Sequence, residues 1–357
     1  IIAMKVEVLV LCPETCELLE RTSVREAVES LGAKFIPIKL NRTSANPFGD
    51  ILLTLEIFKI LRSLRPDVVL NYTVKPSIYG SVAAWIAKVP FVSSNMTGLG
   101  YVFTGNSLSV RLIRFFVSAL YKVALKTNNL IFFQNPEDRD LFLSLGIIDA
   151  KKKVKVLNGS GVNLEKFYPD DSLKKKRGSF IFVGRLLGDK GIVEFLKSAK
   201  KLKAERPFAT FKIIGSEDNN PASLPANFLD TYRDDPSFEF IRSTPNVREH
   251  LNRAEVFVLP SYREGMPRSA LEALAVGLPI ITTDVPGCRA TVIAGLNGLI
   301  VNPRKVEPLF AAMLELVDNQ SLLKSMGEES LSLARSIYNV ELVNQEITQL
   351  LFPPKGN

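Results

Sequence analysis

Short apolar runs alternate with stretches of helical spacing along the whole chain. Val6–Leu11, Lys34–Lys39, Asp67–Asn71, Phe91–Ser94, Leu130–Gln134 and Val154–Leu157 are brief and mostly apolar, which predicts strands. Thr22–Leu31, Asp50–Leu64, Ser77–Ala87, Val110–Lys126 and Pro136–Leu145 lie between them and predict helices. Asp50 is the expected N-cap of its helix, and Gly32 and Gly146 are the expected C-caps of theirs. Strands alternating with helices imply a parallel α/β sheet. Turn chemistry at Asn158-Gly159-Ser160-Gly161 marks a boundary, and the pattern then restarts. Strands are expected at Ser179–Val183, Thr210–Ile214, Phe238–Ile241, Val256–Leu259, Pro279–Thr282 and Gly298–Val301. Helices are expected at Gly191–Glu205, Asn246–Ala254, Arg268–Ala275, Glu307–Asp318, Asn319–Ile337 and Val340–Leu351. Two such units in succession predict two Rossmann-like domains with parallel sheets facing a cleft.

Composition narrows the class. The 357 residues fit two domains at about 150 residues each. A hydrophobic share of 46% with 23% charged residues is globular, and excludes disorder or a disulfide scaffold as the main character. No uninterrupted apolar stretch of about 18 residues occurs, so no transmembrane helix is expected. Lys5 and Glu7 interrupt any apolar core of a signal peptide, so none is expected. Cys12, Cys16 and Cys288 form an odd, sparse set that fits a reducing compartment. With one histidine, His250, they fall short of a zinc ligand set, and no metal site is expected. His250 sits among Arg248, Glu249 and Arg253, the setting of a charged helix surface and not of a Ser-His-Asp triad. The net charge of +8 points to an anionic partner.

Two segments carry candidate chemistry. In Glu264-Gly265-Met266-Pro267-Arg268, a proline stands at the first turn of a helix that follows a strand. The N–H groups around Gly265 and Met266 then face an open helix N-terminus, which attracts phosphate or polar oxygens. Glu264 lies at its mouth and Glu272 deeper in the helix, and each carboxylate can accept two hydroxyl hydrogen bonds from a sugar diol. Gly184-Arg185-Leu186-Leu187-Gly188-Asp189-Lys190-Gly191 also joins a strand to a helix. Arg185 suits bidentate contact with a diphosphate, and Lys190 adds a point charge. The segment is neither a Walker A loop nor a G-x-G-x-x-G turn. Each pattern alone also fits a plain surface turn or a helix start flanked by glutamates.

Taken in order, Gly184-Arg185…Lys190-Gly191, Glu264-x7-Glu272, Asp284-Val285-Pro286-Gly287 and Gly295-x-x-Gly298 resemble the family 4 retaining glycosyltransferases, which have the GT-B fold. Asn71-Tyr72-Thr73-x-Lys75-Pro76-x-Ile78-Tyr79-Gly80 and Asn95-x-Thr97-Gly98-Leu99-Gly100 resemble a bacterial branch acting on polyprenyl-diphosphate-linked sugars. The resemblance implies that Arg185 and Lys190 stabilise the diphosphate leaving group, Glu272 holds the ribose, and Glu264 with the Gly265 and Met266 backbone holds the donor sugar. It draws Gly184, Gly215, Pro267 and Arg268 into the donor site. It implies a UDP-sugar donor, GalNAc or Gal favoured, a lipid-linked saccharide acceptor, an α-linkage, and no metal or other cofactor. It also implies a first domain over residues 1–160 for the acceptor, a second over 161–338 for the donor, and a final helix over 339–357 returning to the first. A GDP-mannose-type mannosyltransferase, a UDP-N-acetylglucosamine epimerase and a non-catalytic nucleotide-sugar-binding protein are the rival readings. One departure stands out, because no histidine precedes His250, whereas many members place one beside the donor sugar. Either Lys75 or an Asn/Thr near Asn95 lines that position, or the contact is absent. Lys75, Asn95, Thr97, Gly98 and Gly100 are the acceptor-side candidates.

Charge is distributed unevenly. From Val68 to Pro136 there is no Asp or Glu. Within that stretch Arg111, Arg114, Lys122 and Lys126 fall in one sector of a helix, with Phe115 among them, while Ile113, Phe116, Val117 and Leu120 lie outside it. A basic amphipathic helix predicts docking on an anionic membrane surface, here the inner face of the cell membrane, and no nucleic-acid motif accompanies it.

Overall fold

The structure, a computed structural model, describes residues 6–14, 23–40, 46–99, 103, 108–217, 223–225 and 227–353. The chain divides into two compact units. One holds Ile1–Phe132, Asp140–Lys155 and Ile347–Asn357; the other holds Phe133–Arg139 and Val156–Glu346.

In the first unit β1 (Leu9–Cys12) pairs in parallel with β2 (Lys34–Pro37). A second sheet runs β3 (Val68–Tyr72), β4 (Phe91–Met96), β5 (Leu130–Phe133), β6 (Val154–Val156), with β3 and β4 parallel from Val68 opposite Phe91 to Tyr72 opposite Asn95. Helices on the connections cover these strands, as the alternating pattern requires.

Two helices begin earlier than expected. The second begins at Pro47, three residues before Asp50, because Asn46 caps it by accepting from Phe48 N–H at 3.1 Å. Asp50 is therefore a buried first-turn residue. It takes the Lys75 ammonium at 2.6 Å and the Tyr79 hydroxyl at 2.8 Å. The Leu108–Lys126 helix buries Val110, Tyr121, Ala124 and Leu125, whereas Ile113, Phe116 and Leu120 are exposed. Sequence spacing offers two apolar stripes on this helix, and the narrower one, with its small Ala124, faces the protein.

The second unit contains one six-stranded parallel sheet. Its strands are β7 (Ser179–Val183), β8 (Thr210–Ile214), β9 (Phe238–Ile241), β10 (Val256–Leu259), β11 (Ile280–Thr283) and β12 (Gly298–Val301). They lie in the order β12-β11-β10-β7-β8-β9. This is the doubly wound order, and the winding direction reverses between β7 and β10. β10 and β11 are wholly buried runs, as expected of strands covered on both faces. Phe180, Phe211 and Phe238 stack across β7, β8 and β9 with centroids 5.8 and 5.0 Å apart. In such sheets ligands bind outside the carboxyl ends of the strands at the reversal point, here the loops after Val183 and Leu259.

Candidate functional site

Those two loops meet closely. After β7 the chain passes Gly184 and Arg185, makes a 3₁₀ turn over Gly188–Lys190 and enters the Ile192–Glu205 helix through Gly191. Gly191 has φ of +72°, and a Cβ there would lie 2.0 Å from the Pro260 carbonyl oxygen in the loop after β10. Gly215, at the end of β8, abuts the Gly184 carbonyl, where a Cβ would sit 1.9 Å from the oxygen. Only glycine lets the backbones approach this far. Tyr262 N–H donates to the Asp189 carbonyl at 2.8 Å, and its hydroxyl donates to Glu194 Oε1 at 2.8 Å. Both bonds tie the loop after β10 to the segment after β7.

This junction places the charged groups. Lys190 Nζ lies 2.5 Å from Glu264 Oε1, and Ser261 Oγ donates to the same oxygen at 2.8 Å. Arg185 stands exposed on the first loop. Burial raises the Asp189 carboxyl above its ordinary range against the pull of Lys190. Glu264 N–H donates to the Pro286 carbonyl at 3.2 Å, and Gly287, at φ of +77°, backs the loop where a Cβ would meet the Glu264 and Gly265 carbonyls. Met266 turns its side chain onto Gly159, and Pro267 is the N-cap position of the Arg268–Ala275 helix, one residue earlier than its expected place in the first turn. Glu272 lies inside that helix. Burial raises its carboxyl above the usual range, with Arg268 and Lys166 opposing. Cys288, behind Glu264, has its thiol pushed up to about 12 by burial, so it is neutral and unreactive at physiological pH.

The structure thus brings Gly184, Arg185, Lys190, Gly215, Glu264, Gly265, Met266, Pro267, Arg268 and Glu272 into the second unit, on loops and a helix at the carboxyl edge of its sheet. Lys75, Asn95, Thr97 and Gly98 belong to the first unit. Lys75 is engaged by Asp50. Asn95 is buried at the end of β4, bonded to Tyr72, with its Oδ1 unpartnered. Thr73, next to Tyr72, has φ of +71°, a strained conformation for a β-branched residue. Cys16 and Gly100 lie outside the described residues.

Residues 165–332 match the family described as glycosyl transferases group 1, and residues 5–135 match glycosyl transferase 4-like. The chain belongs to the family 4-like glycosyltransferases. Among its relatives is the N,N'-diacetylbacillosaminyl-diphospho-undecaprenol alpha-1,3-N-acetylgalactosaminyltransferase of Campylobacter jejuni, 28% identical over 317 residues, 85% of this chain and 82% of that protein. The UDP-Gal:alpha-D-GlcNAc-diphosphoundecaprenol alpha-1,3-galactosyltransferase of Escherichia coli is 28% identical over 82% of this chain and 77% of its own length. Sucrose-phosphate synthase from Thermosynechococcus elongatus superposes with a TM-score of 0.78, at 17% identity, over 98% of this chain and 89% of that one. HepE from Anabaena, solved with UDP, gives 0.76 at 13% identity, over 97% and 99%. This glycosyltransferase therefore has the GT-B fold.

Sequence patterns in the glycosyltransferase do not point to Ser261, Arg263, Asn135 or Asp138. Asn135 and Asp138 meet the Glu264 loop across 125 to 130 residues of sequence. Their local signal is Asn135-Pro136, a helix-start dipeptide, and it says nothing of a distant partner.

Proposed function

We propose that this glycosyltransferase moves a hexose or N-acetylhexosamine, GalNAc or Gal favoured, from a UDP-sugar to a polyprenyl-diphosphate-linked saccharide, with retention and without a metal. The observation that carries the reading is the Lys190–Glu264 pair at the reversal point of the second sheet, with Lys190 on the loop after β7 that also bears Arg185. Charge develops on the β-phosphate as the glycosidic bond breaks, and fixed cations aimed there lower the barrier. Arg185 offers a planar fork. Lys190 has three N–H donors; one goes to Glu264, which leaves others for a phosphate oxygen. Glu264 and the Gly265–Met266 backbone bind the sugar hydroxyls, and Glu272 binds the ribose. The acceptor hydroxyl attacks on the face the diphosphate leaves, and the departing phosphate takes its proton. Relatives named for undecaprenyl-diphosphate acceptors support the acceptor class.

The reading extends to location, with the enzyme docked on the inner, anionic face of the cell membrane. The outward side of the Leu108–Lys126 helix carries Leu112, Phe116, Leu120 and Val123 on one flank and Arg111, Lys122 and Lys126 on the other, all exposed. The neighbouring Ser81–Ile86 helix adds an exposed Trp85. Apolar insertion flanked by cations suits an anionic lipid surface. No helix among the described residues is long and apolar enough to cross a membrane.

The test is transfer from UDP-GalNAc, UDP-Gal and GDP-mannose to a polyprenyl-diphosphate saccharide in EDTA, with the product anomer read by NMR. An α-linked product from a UDP-sugar supports the reading; a β-linked product, or transfer from GDP-mannose alone, contradicts it. Glu272 adds a pH signature. Ribose binding needs the carboxylate, so UDP affinity is full above the Glu272 pKa and is lost as pH falls through it. Because burial raises that pKa, the loss begins at a higher pH than for an ordinary glutamate. Glu272→Gln should weaken UDP binding and flatten this acid limb in titrations from about pH 4 to pH 8.

A further inference from the structure

The loop bearing Glu264 is gripped from behind by residues that no step above uses. Asn135 Nδ2 donates to the Gly265 carbonyl at 2.7 Å. Asp138, with no solvent exposure, takes the guanidinium of Arg263, the residue just before Glu264. The two hold each other: Asp138 N–H donates to Asn135 Oδ1 at 2.8 Å, and Asn135 Nδ2 also reaches Asp138 Oδ2 at 3.2 Å. Asn135 is itself buried. Burial raises the Asp138 carboxyl, and the Arg263 guanidinium and the Asn135 amide oppose that shift. Gly287 approaches the same peptide, close enough that a Cβ there would lie 2.5 Å from the Gly265 carbonyl oxygen. The Gly265 carbonyl thus accepts from Asn135 and has the Gly287 backbone close by.

We propose that Asn135 and Asp138 are positioning residues for the sugar end of the donor site. By holding the Gly265 carbonyl and Arg263, they aim the Glu264 carboxylate and the Met266 N–H at the donor sugar. The inference rests on the donor-site reading above. Arg185 and Glu272 lie on other elements that the grip does not touch, and Lys190, though its ammonium pairs with Glu264, is placed by its own turn after β7. Loosening the grip should therefore spare the nucleotide and disturb the sugar.

The experiment compares the whole enzyme with Asn135→Ala, Asp138→Asn and Glu264→Gln. Calorimetry gives the affinity for UDP, and UDP release during transfer from UDP-GalNAc or UDP-Gal gives kcat. Asn135→Ala and Asp138→Asn should bind UDP within about twofold of the unmodified enzyme while kcat falls about 10–100-fold, the scale of a small misplacement of reacting groups. Retained UDP binding also shows that the variant is folded, and either variant suffices if the other is not. Unchanged kcat in both, or parallel loss of UDP affinity and kcat, overturns the proposal. If Glu264→Gln itself turns over at the full rate, the donor-site reading fails and the positioning role falls with it.

Discussion

Arg185→Ala should lower kcat by about 10²–10³-fold, the scale seen when one preorganised donor to a developing charge is removed. The side chain is exposed on the loop after β7, outside the buried core, so the melting temperature should change by only a few degrees. Arg185→Lys should recover only part of the rate, because an ammonium replaces the fork with a point charge. Initial rates at saturating donor, with a thermal melt of the same samples, check both statements. A full rate in Arg185→Ala would remove this residue from the leaving-group site.

Gly191→Ala should be the most damaging small substitution at the site. Its Cβ would fall 2.0 Å from the Pro260 carbonyl oxygen, a backbone atom that cannot rotate away, and φ of +72° adds left-handed strain. Strain and forced separation of the two loops together should cost about 3–5 kcal/mol, lowering Tm on the order of 10 °C. Gly146→Ala is the control. Its φ is +62°, but nothing lies within 4 Å of a Cβ there, so only strain of about 1–2 kcal/mol applies. Equal losses at the two positions, read from urea unfolding, would show that the close approach of the loops after β7 and β10 does not constrain the fold.

The second unit is the more legible half of the sequence. Ser179–Val183, Thr210–Ile214, Phe238–Ile241, Val256–Leu259 and Gly298–Val301 are strands with the bounds the pattern predicts. They are short, largely apolar runs, most of them closed by charged or glycine-bearing turns, and the two central ones, Ser179–Val183 and Val256–Leu259, are buried on both faces. The pattern misplaces the start of the Pro47–Leu64 helix because Asp50 looks like a cap, while Asn46-Pro47 is a stronger start. Periodicity in the Leu108–Lys126 helix does not say which apolar stripe faces the protein, since the helix has two. At the site, residue types and spacing mark Arg185, Lys190, Glu264 and Glu272. They do not show that Lys190 and Glu264 pair with each other, nor that Asn135 and Asp138 hold the loop between them. Those contacts join positions 74 to 130 residues apart, and only the fold brings them together.

The central claim is that the second unit binds the diphosphate of a UDP-sugar with its own cations. Calorimetric titration of UDP in EDTA tests it most directly, with a thermal melt alongside. Saturable binding is expected, adding about 2.7 kcal/mol of stability at a hundred times the dissociation constant and weakening sharply in Arg185→Ala. No binding of UDP, or binding that appears only when a divalent cation is restored, would contradict it.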